Sequence, residues 1–307
     1  MILQTGMRTD IPAFYSEWFM NRIKEGYVLV RNPYYGEQVT RYEINSDVVD
    51  LIAFCTKNPM PMFAQLEKLK AYGQYWFVTI TPYGKDLEPN VPDKNDVIKC
   101  FRAMSRILGV NSMGWRYDPV IVNEKYTVDY HISAFEKIAS QLSGCTETCI
   151  ISFVDLYEKV RRNFPEMRSV TESEQITLAK AFAEIGSRCG ITVKGCHESP
   201  SLAEYGIDMS GCLNRSVYEK ALGFSLDLPK KKSQRDCNCF FGTDIGAYNS
   251  CGHLCRYCYA NADADSVRKN MARHDPNSPF LIGGSLPNDV ITNAKQYSYS
   301  DGQLCFF

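Results

Sequence analysis

The sequence has no surplus of positive charge, no long apolar run and no segment of low complexity. Over 307 residues, 34 Lys and Arg nearly balance 35 Asp and Glu, which gives a formal net charge of −1. A protein that binds nucleic acid mainly through charge needs an excess of basic residues, so any contact with nucleic acid would depend on a local patch. No apolar run approaches the roughly 20 residues of a membrane span, and we therefore expect no membrane contact.

The first ten residues also lack the pattern of a secretory signal peptide, which has a basic start followed by an apolar stretch. Hydrophobic residues make up 45% of the chain and charged residues 22%, as in an ordinary globular protein. From these features we expect a cytoplasmic protein.

Cysteine is abundant, which is unexpected for a protein of a reducing compartment. The chain has 13 cysteines, an odd number that disulfides could not pair fully. Clustered thiols in such a chain indicate metal ligands. The densest group lies near the carboxyl terminus and consists of Cys237, Cys239, Cys251, Cys255 and Cys258.

Six apolar, β-prone segments alternate with amphipathic helical patterns over the first two-thirds of the chain. Their continuous apolar runs are typical of parallel strands buried on both faces. Strand–helix units in series are joined by right-handed crossovers, so the pattern predicts an α/β protein with a partial (β/α)6 barrel of the TIM type, closed or nearly closed. The predicted strands cover residues 2–8, 49–56, 75–81, 112–119, 148–154 and 191–196.

Two further segments complete the predicted organisation. Residues 27–44 resemble an inserted hairpin, with turn-forming residues near its middle. A basic run at 230–232 predicts a solvated link. We therefore predict a barrel domain over residues 1–230 and a cysteine-rich, cluster-binding segment over residues 231–307.

Polar residues gather where the predicted strands end. Thr56, Lys57 and Asn58 follow the second strand, and Arg116 and Asp118 belong to the fourth. In β/α barrels the reacting groups lie at the carboxyl ends of the strands. Such residues could bind a zwitterionic ligand such as a sulfonium amino acid, or they could simply pair with one another at the rim.

The most specific motif is C-x3-C-x2-C, formed by Cys251, Cys255 and Cys258. Three thiolates this close can hold three corners of a [4Fe–4S] cluster while the fourth iron stays open to chelate S-adenosylmethionine. Zinc is the alternative, with His253 as a fourth ligand. Because His253 lies beside Gly252 in a short loop, chelation by all four residues is geometrically awkward.

C-x3-C-x2-C followed by an aromatic residue resembles the signature of the radical S-adenosylmethionine superfamily. Other segments look like parts of spore photoproduct lyase-like proteins, and nearly the whole chain resembles an uncharacterised bacterial family. The resemblance implies reductive cleavage of S-adenosylmethionine to a 5′-deoxyadenosyl radical, an unknown substrate, and a small electron donor such as ferredoxin or flavodoxin. The segments are R-T-D-I-P-A-F-Y from Arg8, T-K-N-P from Thr56, E-P-N-V-P from Glu88, W-R-Y-D-P from Trp115 and C-x3-C-x2-C-Y-A-N from Cys251.

The position of the cluster motif departs from that superfamily. There the cluster loop follows the first strand, whereas here it follows the sixth, which predicts a circularly rearranged fold. Thr56, Lys57 and Asn58 occupy the place of the superfamily's usual cofactor motif. We therefore predict that they contact S-adenosylmethionine together with Arg116 and Asp118.

Four other cysteines form a second candidate site. Cys196, Cys212, Cys237 and Cys239 could hold a second [4Fe–4S] cluster that relays electrons, or a structural zinc ion. The alternative is that Cys196 and Cys212 are small buried residues. The remaining cysteines of predicted strands and helices, including Cys55, are interpreted as packing residues.

Two other functions stay open at this point. An iron–sulfur protein of electron transfer or sensing could retain the barrel without radical chemistry. A zinc-stabilised binding module is the third alternative, but it would leave the polar strand ends without a role.

Overall fold

The computed structural model describes residues 1–229 and 238–305, which form a mixed α/β structure around one large parallel sheet. Its strands are β1 (Ile2–Gln4), β2 (Tyr27–Arg31), β3 (Gln38–Glu43), β4 (Leu51–Thr56), β5 (Gly73–Thr79), β6 (Met113–Val120), β7 (Thr148–Phe153), β8 (Thr192–Gly195), β9 (Phe224–Leu226), β10 (Thr243–Asp244), β11 (Val290–Asn293) and β12 (Ser300–Leu304). Its α-helices are α1 (Ile11–Phe14), α2 (Ser16–Glu25), α3 (Met60–Phe63), α4 (Lys94–Leu108), α5 (Val128–Leu142), α6 (Glu158–Asn163), α7 (Glu172–Arg188), α8 (Arg215–Leu222) and α9 (Ala264–Met271).

The main sheet has seven parallel strands in the order β10-β1-β4-β5-β6-β7-β8. Six of them are the six strands that the sequence predicts, in the predicted order. The seventh, β10, was not predicted. Over the described ranges, β8 and β10 are the two edges and no ladder joins them, so the structure gives an α/β fold with a parallel sheet and leaves barrel closure as a prediction.

Strand β10 brings the carboxyl-terminal part of the chain back beside the first strand. Leu3 pairs with Thr243, and Gln4 with Asp244. Gly242 makes this approach possible, because a Cβ atom there would lie 2.3 Å from the carbonyl oxygen of Ile2. The cysteine loop that follows β10 is therefore carried to the carboxyl end of β1.

The longer helices pack on the sheet through the apolar stripes that their sequences predict. In α4 the buried residues include Val97, Phe101 and Met104, and the side chain of Asp93 caps its amino terminus. Between helices and sheet the core is rich in aromatic residues, for example Phe54 stacked on Trp76 with ring centroids 3.9 Å apart. Burial of each such side chain contributes about 1.5–3 kcal/mol.

The segment 27–44 forms two antiparallel strands, β2 and β3. Strand β11 adds to β3 in parallel, and β12 pairs with β9 in antiparallel orientation. The segment after residue 237 thus gives one strand to each of three sheets. The predicted boundary at residue 230 lies outside the described residues, so the division into two domains stays a prediction.

Candidate metal and ligand site

A cavity of about 280 Å³ opens at the carboxyl ends of the parallel strands. Of the site residues that the sequence predicts and the structure describes, Asn58 and Cys239 do not line the cavity. Cys237 lies outside the part of the chain that the structure describes. One cavity therefore contains most of the residues that the sequence singled out. Those that line it are Thr56, Lys57, Arg116, Asp118, Cys196, Cys212, Cys251, Cys255 and Cys258.

Asp10 joins the cysteine loop to the sheet. One of its carboxylate oxygens accepts hydrogen bonds from the backbone N–H of Lys57 and from Nε2 of His253, each at 2.8 Å. The other oxygen caps α1 through the N–H of Ala13. The interaction with His253 depends on tertiary contact and gave no sequence signal.

Glu88 is a second buried acid beneath the loop. Its Oε1 accepts from Nζ of Lys57 at 2.8 Å and from the hydroxyl of Tyr257, and Lys94 binds its other oxygen. Burial alone would raise the pKa of Glu88, but Lys57 and Lys94 outweigh it and lower the pKa to about 2. The carboxylate is therefore ionised, and it holds both lysines and the loop tyrosine around one point.

Side-chain amides hold the start of the loop. Asn90 donates through Nδ2 to the carbonyl of Gly252 at 2.8 Å, and Asn261 donates through Nδ2 to the carbonyl of Cys251 at 2.9 Å. Because both amides bind backbone oxygens, they fix the course of the loop independently of its side chains.

Burial raises the pKa of all three loop thiols, that of Cys255 to about 12, where Lys57 partly offsets the effect. Metals bind the deprotonated thiolate, so loading this site would release protons. The zinc alternative needed His253 as a ligand. Its Nε2 is instead engaged by Asp10, and its Nδ1 faces the carbonyl of Asn90 at 3.4 Å.

The predicted contacts to S-adenosylmethionine are engaged with other protein groups. Lys57 binds Glu88, and Arg116 pairs with Asp118. Asn58 does not line the cavity, and its side-chain oxygen accepts from the N–H of Met60 at 3.3 Å, so its contact with S-adenosylmethionine stays a prediction. A position after a strand places the backbone near the site, but the partner of each side chain, a charge for Lys57 and Arg116 and a backbone N–H for Asn58, decides where the side chain points.

Two polar atoms on the cavity wall have no partner. Gln4 is 3% exposed and Thr9 is 5% exposed. Among the described residues, neither Oε1 of Gln4 nor Oγ1 of Thr9 has a hydrogen-bond partner, and both residues line the cavity. A buried polar atom without a partner costs about 1–3 kcal/mol, so these two oxygens are candidates for contact with a ligand in the cavity. Thr9 follows the predicted first strand and belongs to its polar end, whereas Gln4 lies within that strand and gave no sequence signal.

The second set of cysteines is partly assembled. Sγ of Cys212 lies 3.7 Å from Sγ of Cys196 and 3.4 Å from Sγ of Cys239. Across the described ranges, no three His, Cys, Asp or Glu side chains form a ready-made ligand set for one ion. The interpretation of Cys55 as a packing residue is incomplete, because Cys55 also lines the cavity. Burial lowers the pKa of Arg116, but nearby Cys55, Cys196 and Cys212 outweigh it and raise the pKa.

Fold and site together define an α/β protein with a cysteine-lined cavity at the carboxyl edge of a parallel sheet. Residues 2–260 match the family model described as a domain of unknown function, DUF1848, and the chain belongs to this family. A search of curated proteins finds no match to the chain. Within the described ranges, no helix is both long and apolar enough to cross a membrane.

Proposed function

We propose that the protein is an iron–sulfur enzyme of the radical S-adenosylmethionine type. Cys251, Cys255 and Cys258 would hold a [4Fe–4S] cluster, and S-adenosylmethionine would bind beside it. The observation that carries this proposal is that the three thiols share one cavity with the strand ends of a parallel sheet. Ligands of α/β sheets bind at this edge, in pockets of roughly 300–1,000 Å³. The cavity, at about 280 Å³, is close to that range.

In this proposal the fold is a circularly rearranged partial barrel. Strand β10 pairs with β1, and the cysteine loop follows β10, so the loop reaches the carboxyl end of β1 from the carboxyl-terminal part of the chain. This is the end of the first strand after which the superfamily places its cluster loop.

The residues around the loop fit a bound cluster. Glu88 holds Lys57 so that its positive charge lies near Cys255, where it offsets the charge of thiolate ligands. The unpartnered atoms of Gln4 and Thr9 offer hydrogen bonds to the amino or hydroxyl groups of S-adenosylmethionine. When bound, such a cluster would supply the electron that cleaves the sulfonium to methionine and a 5′-deoxyadenosyl radical, which abstracts hydrogen from a substrate.

Lyase-like chemistry is the expectation that the resemblance gives for the substrate reaction. The cavity wall includes aromatic side chains, among them Phe77, Phe153 and Tyr259, which would exclude water from a reactive species. The reaction would need a small electron donor such as ferredoxin or flavodoxin.

The test begins with protein purified and reconstituted without oxygen, then reduced with dithionite in the presence of S-adenosylmethionine. We expect 5′-deoxyadenosine, detected by mass spectrometry, and its loss in Cys255→Ala. Cys149→Ala is the matched control, because Cys149 is also buried but lies in β7 and does not line the cavity. A loaded cluster without product would favour electron transfer or sensing, and zinc without iron or sulfide would contradict both functions.

A further inference from the structure

The second set of cysteines lies between the two edges of the main sheet. Cys196 directly follows β8, and Cys239 precedes β10 by a few residues. Cys212, which is 2% exposed, touches both of their sulfurs. The three positions are separated by 16 and 27 residues in sequence, so tertiary folding brings them together.

The distances between the sulfurs indicate how many metal ions they suit. Two thiolates on one tetrahedral ion, with metal–sulfur bonds of about 2.3 Å, stand about 3.8 Å apart. In a four-iron cluster each cysteine binds a different iron, so its sulfurs are separated by the width of the cluster. The observed separations of 3.7 Å and 3.4 Å match a shared ion.

Contact alone would also suit packed thiols, but the surroundings of these three favour a ligand set. The backbone N–H of Cys212 points at Sγ of Cys239 at 3.2 Å, the kind of hydrogen bond that stabilises metal-bound sulfur. Arg116 lies near Cys196 and Cys212 and supplies positive charge beside them. Gly211 lets residue 238 approach, because a Cβ atom at this glycine would lie 3.0 Å from the backbone of Asn238.

We propose that Cys196, Cys212 and Cys239 bind one thiophilic divalent ion, of the zinc or ferrous type, instead of a second four-iron cluster. The two sulfur contacts share Cys212, so one ion bound to Cys212 lies within reach of Cys196 and Cys239. Each thiol that binds gives up its proton to solvent. The ion links the end of β8 to the segment before β10, and so ties together the two edges that no described ladder joins. Its role is to close the sheet into a barrel.

The test uses the full chain with Cys251, Cys255 and Cys258 all replaced by Ser, so that the outcome does not depend on the proposed cluster. The protein is purified without oxygen, and its metal and acid-labile sulfide are measured. We expect about one zinc or iron ion per chain without sulfide. In this background Cys212→Ser should lose the ion, whereas Cys149→Ser, a buried cysteine of β7, should keep it. Sulfide in proportion to iron, or a folded chain without metal, would overturn the proposal.

A second measurement covers the case in which the triple variant does not fold. Fully loaded wild-type protein should contain about four sulfides per chain and one metal ion beyond the four irons of the loop cluster. About eight sulfides, or no additional ion, would contradict the shared-ion site. Replacement of the ion by Co²⁺ should give the visible bands of tetrahedral thiolate coordination, and octahedral bands would also contradict it.

Discussion

The two cysteine sets differ in how the chain brings their thiols together. Cys251, Cys255 and Cys258 belong to one loop, so their proximity is encoded locally and can be recognised in the sequence. Cys196, Cys212 and Cys239 meet only when β8, the loop before α8 and the segment before β10 are in place. A local motif therefore predicts ligands well, whereas a set assembled from distant segments needs the fold to show its geometry.

Their surroundings differ as well. The loop depends on two buried acids, Asp10 and Glu88, which hold it to the sheet through His253, Lys57 and Tyr257. The second set packs in an apolar cluster, where Cys212 and Cys239 lie among residues such as Leu213, Phe240 and Tyr218. The loop is thus held by charge and hydrogen bonds, and the second set by burial. The following variants separate these two kinds of support.

The largest effect is expected from Glu88→Gln. This change leaves Lys57 and Lys94 buried without a counter-charge, and loss of one partner of a buried ion pair costs about 3–5 kcal/mol. Denaturant unfolding measures the loss. The control is Glu136→Gln, whose pair with Arg188 is about half exposed and should contribute no more than about 1 kcal/mol. Equal effects of the two variants would contradict a special role for Glu88.

The lowered pKa of Glu88 also predicts how the free energy of unfolding depends on pH. Because the folded pKa of Glu88 is about 2, below its ordinary value of 4.5, its contribution to stability is present above that ordinary value. The contribution is lost as pH falls from about 4.5 toward about 2. The free energy of unfolding should therefore decrease less over this window in Glu88→Gln than in the wild type. An identical decrease in both proteins would show that other groups cause it.

A smaller effect is expected from Gly242→Ala. The added Cβ atom would meet the carbonyl oxygen of Ile2 at 2.3 Å, and this should push β10 away from β1 at a cost of about 1–3 kcal/mol. Gly36→Ala is the control, because Gly36 has no atom within 4 Å of an added Cβ and needs no left-handed backbone. It should leave stability unchanged or raise it by about 0.4–1 kcal/mol. Unfolding in urea distinguishes the two outcomes.

The sequence predicted six of the seven strands of the main sheet from their apolar runs, and it missed β9, β10, β11 and β12. For β10 and β11 the reason is physical. Strand β10 has only two residues, Thr243 and Asp244, and its pairing depends on the absence of a side chain at Gly242. Strand β11 is exposed along its whole length, so no apolar run indicates it. Both strands therefore depend on the strands they pair with, β1 for β10 and β3 for β11.

The sequence indicated which residues lie near the candidate site, but it indicated only in part which groups their side chains contact. The strand-end pattern identified Lys57 and Arg116 as candidate contacts to S-adenosylmethionine, and both line the cavity, while the contact itself stays a prediction. Their partners could not be predicted, because buried charges choose partners across the fold: Lys57 binds Glu88, and Arg116 pairs with Asp118. Cys55 could not be recognised as a cavity residue either, since a cysteine within an apolar strand looks like core.

The smallest and most selective effect is expected from Asp10→Asn, which should loosen the loop and spare the second set. Asn caps a helix as well as Asp does, so α1 is retained, but the charged acceptor for His253 is lost. Loss of a partner that orients a metal ligand costs about 10–100-fold in metal affinity, and Asp10 acts on the loop only through His253, so we expect no more than about a tenfold loss. Release of iron to a chelator from reconstituted protein measures the change. The control is Asp93→Asn, at the cap of α4, which should release iron at the wild-type rate. If Asp10→Asn also released the ion proposed for Cys196, Cys212 and Cys239, the two sites would share their support, and the contrast between them would fail.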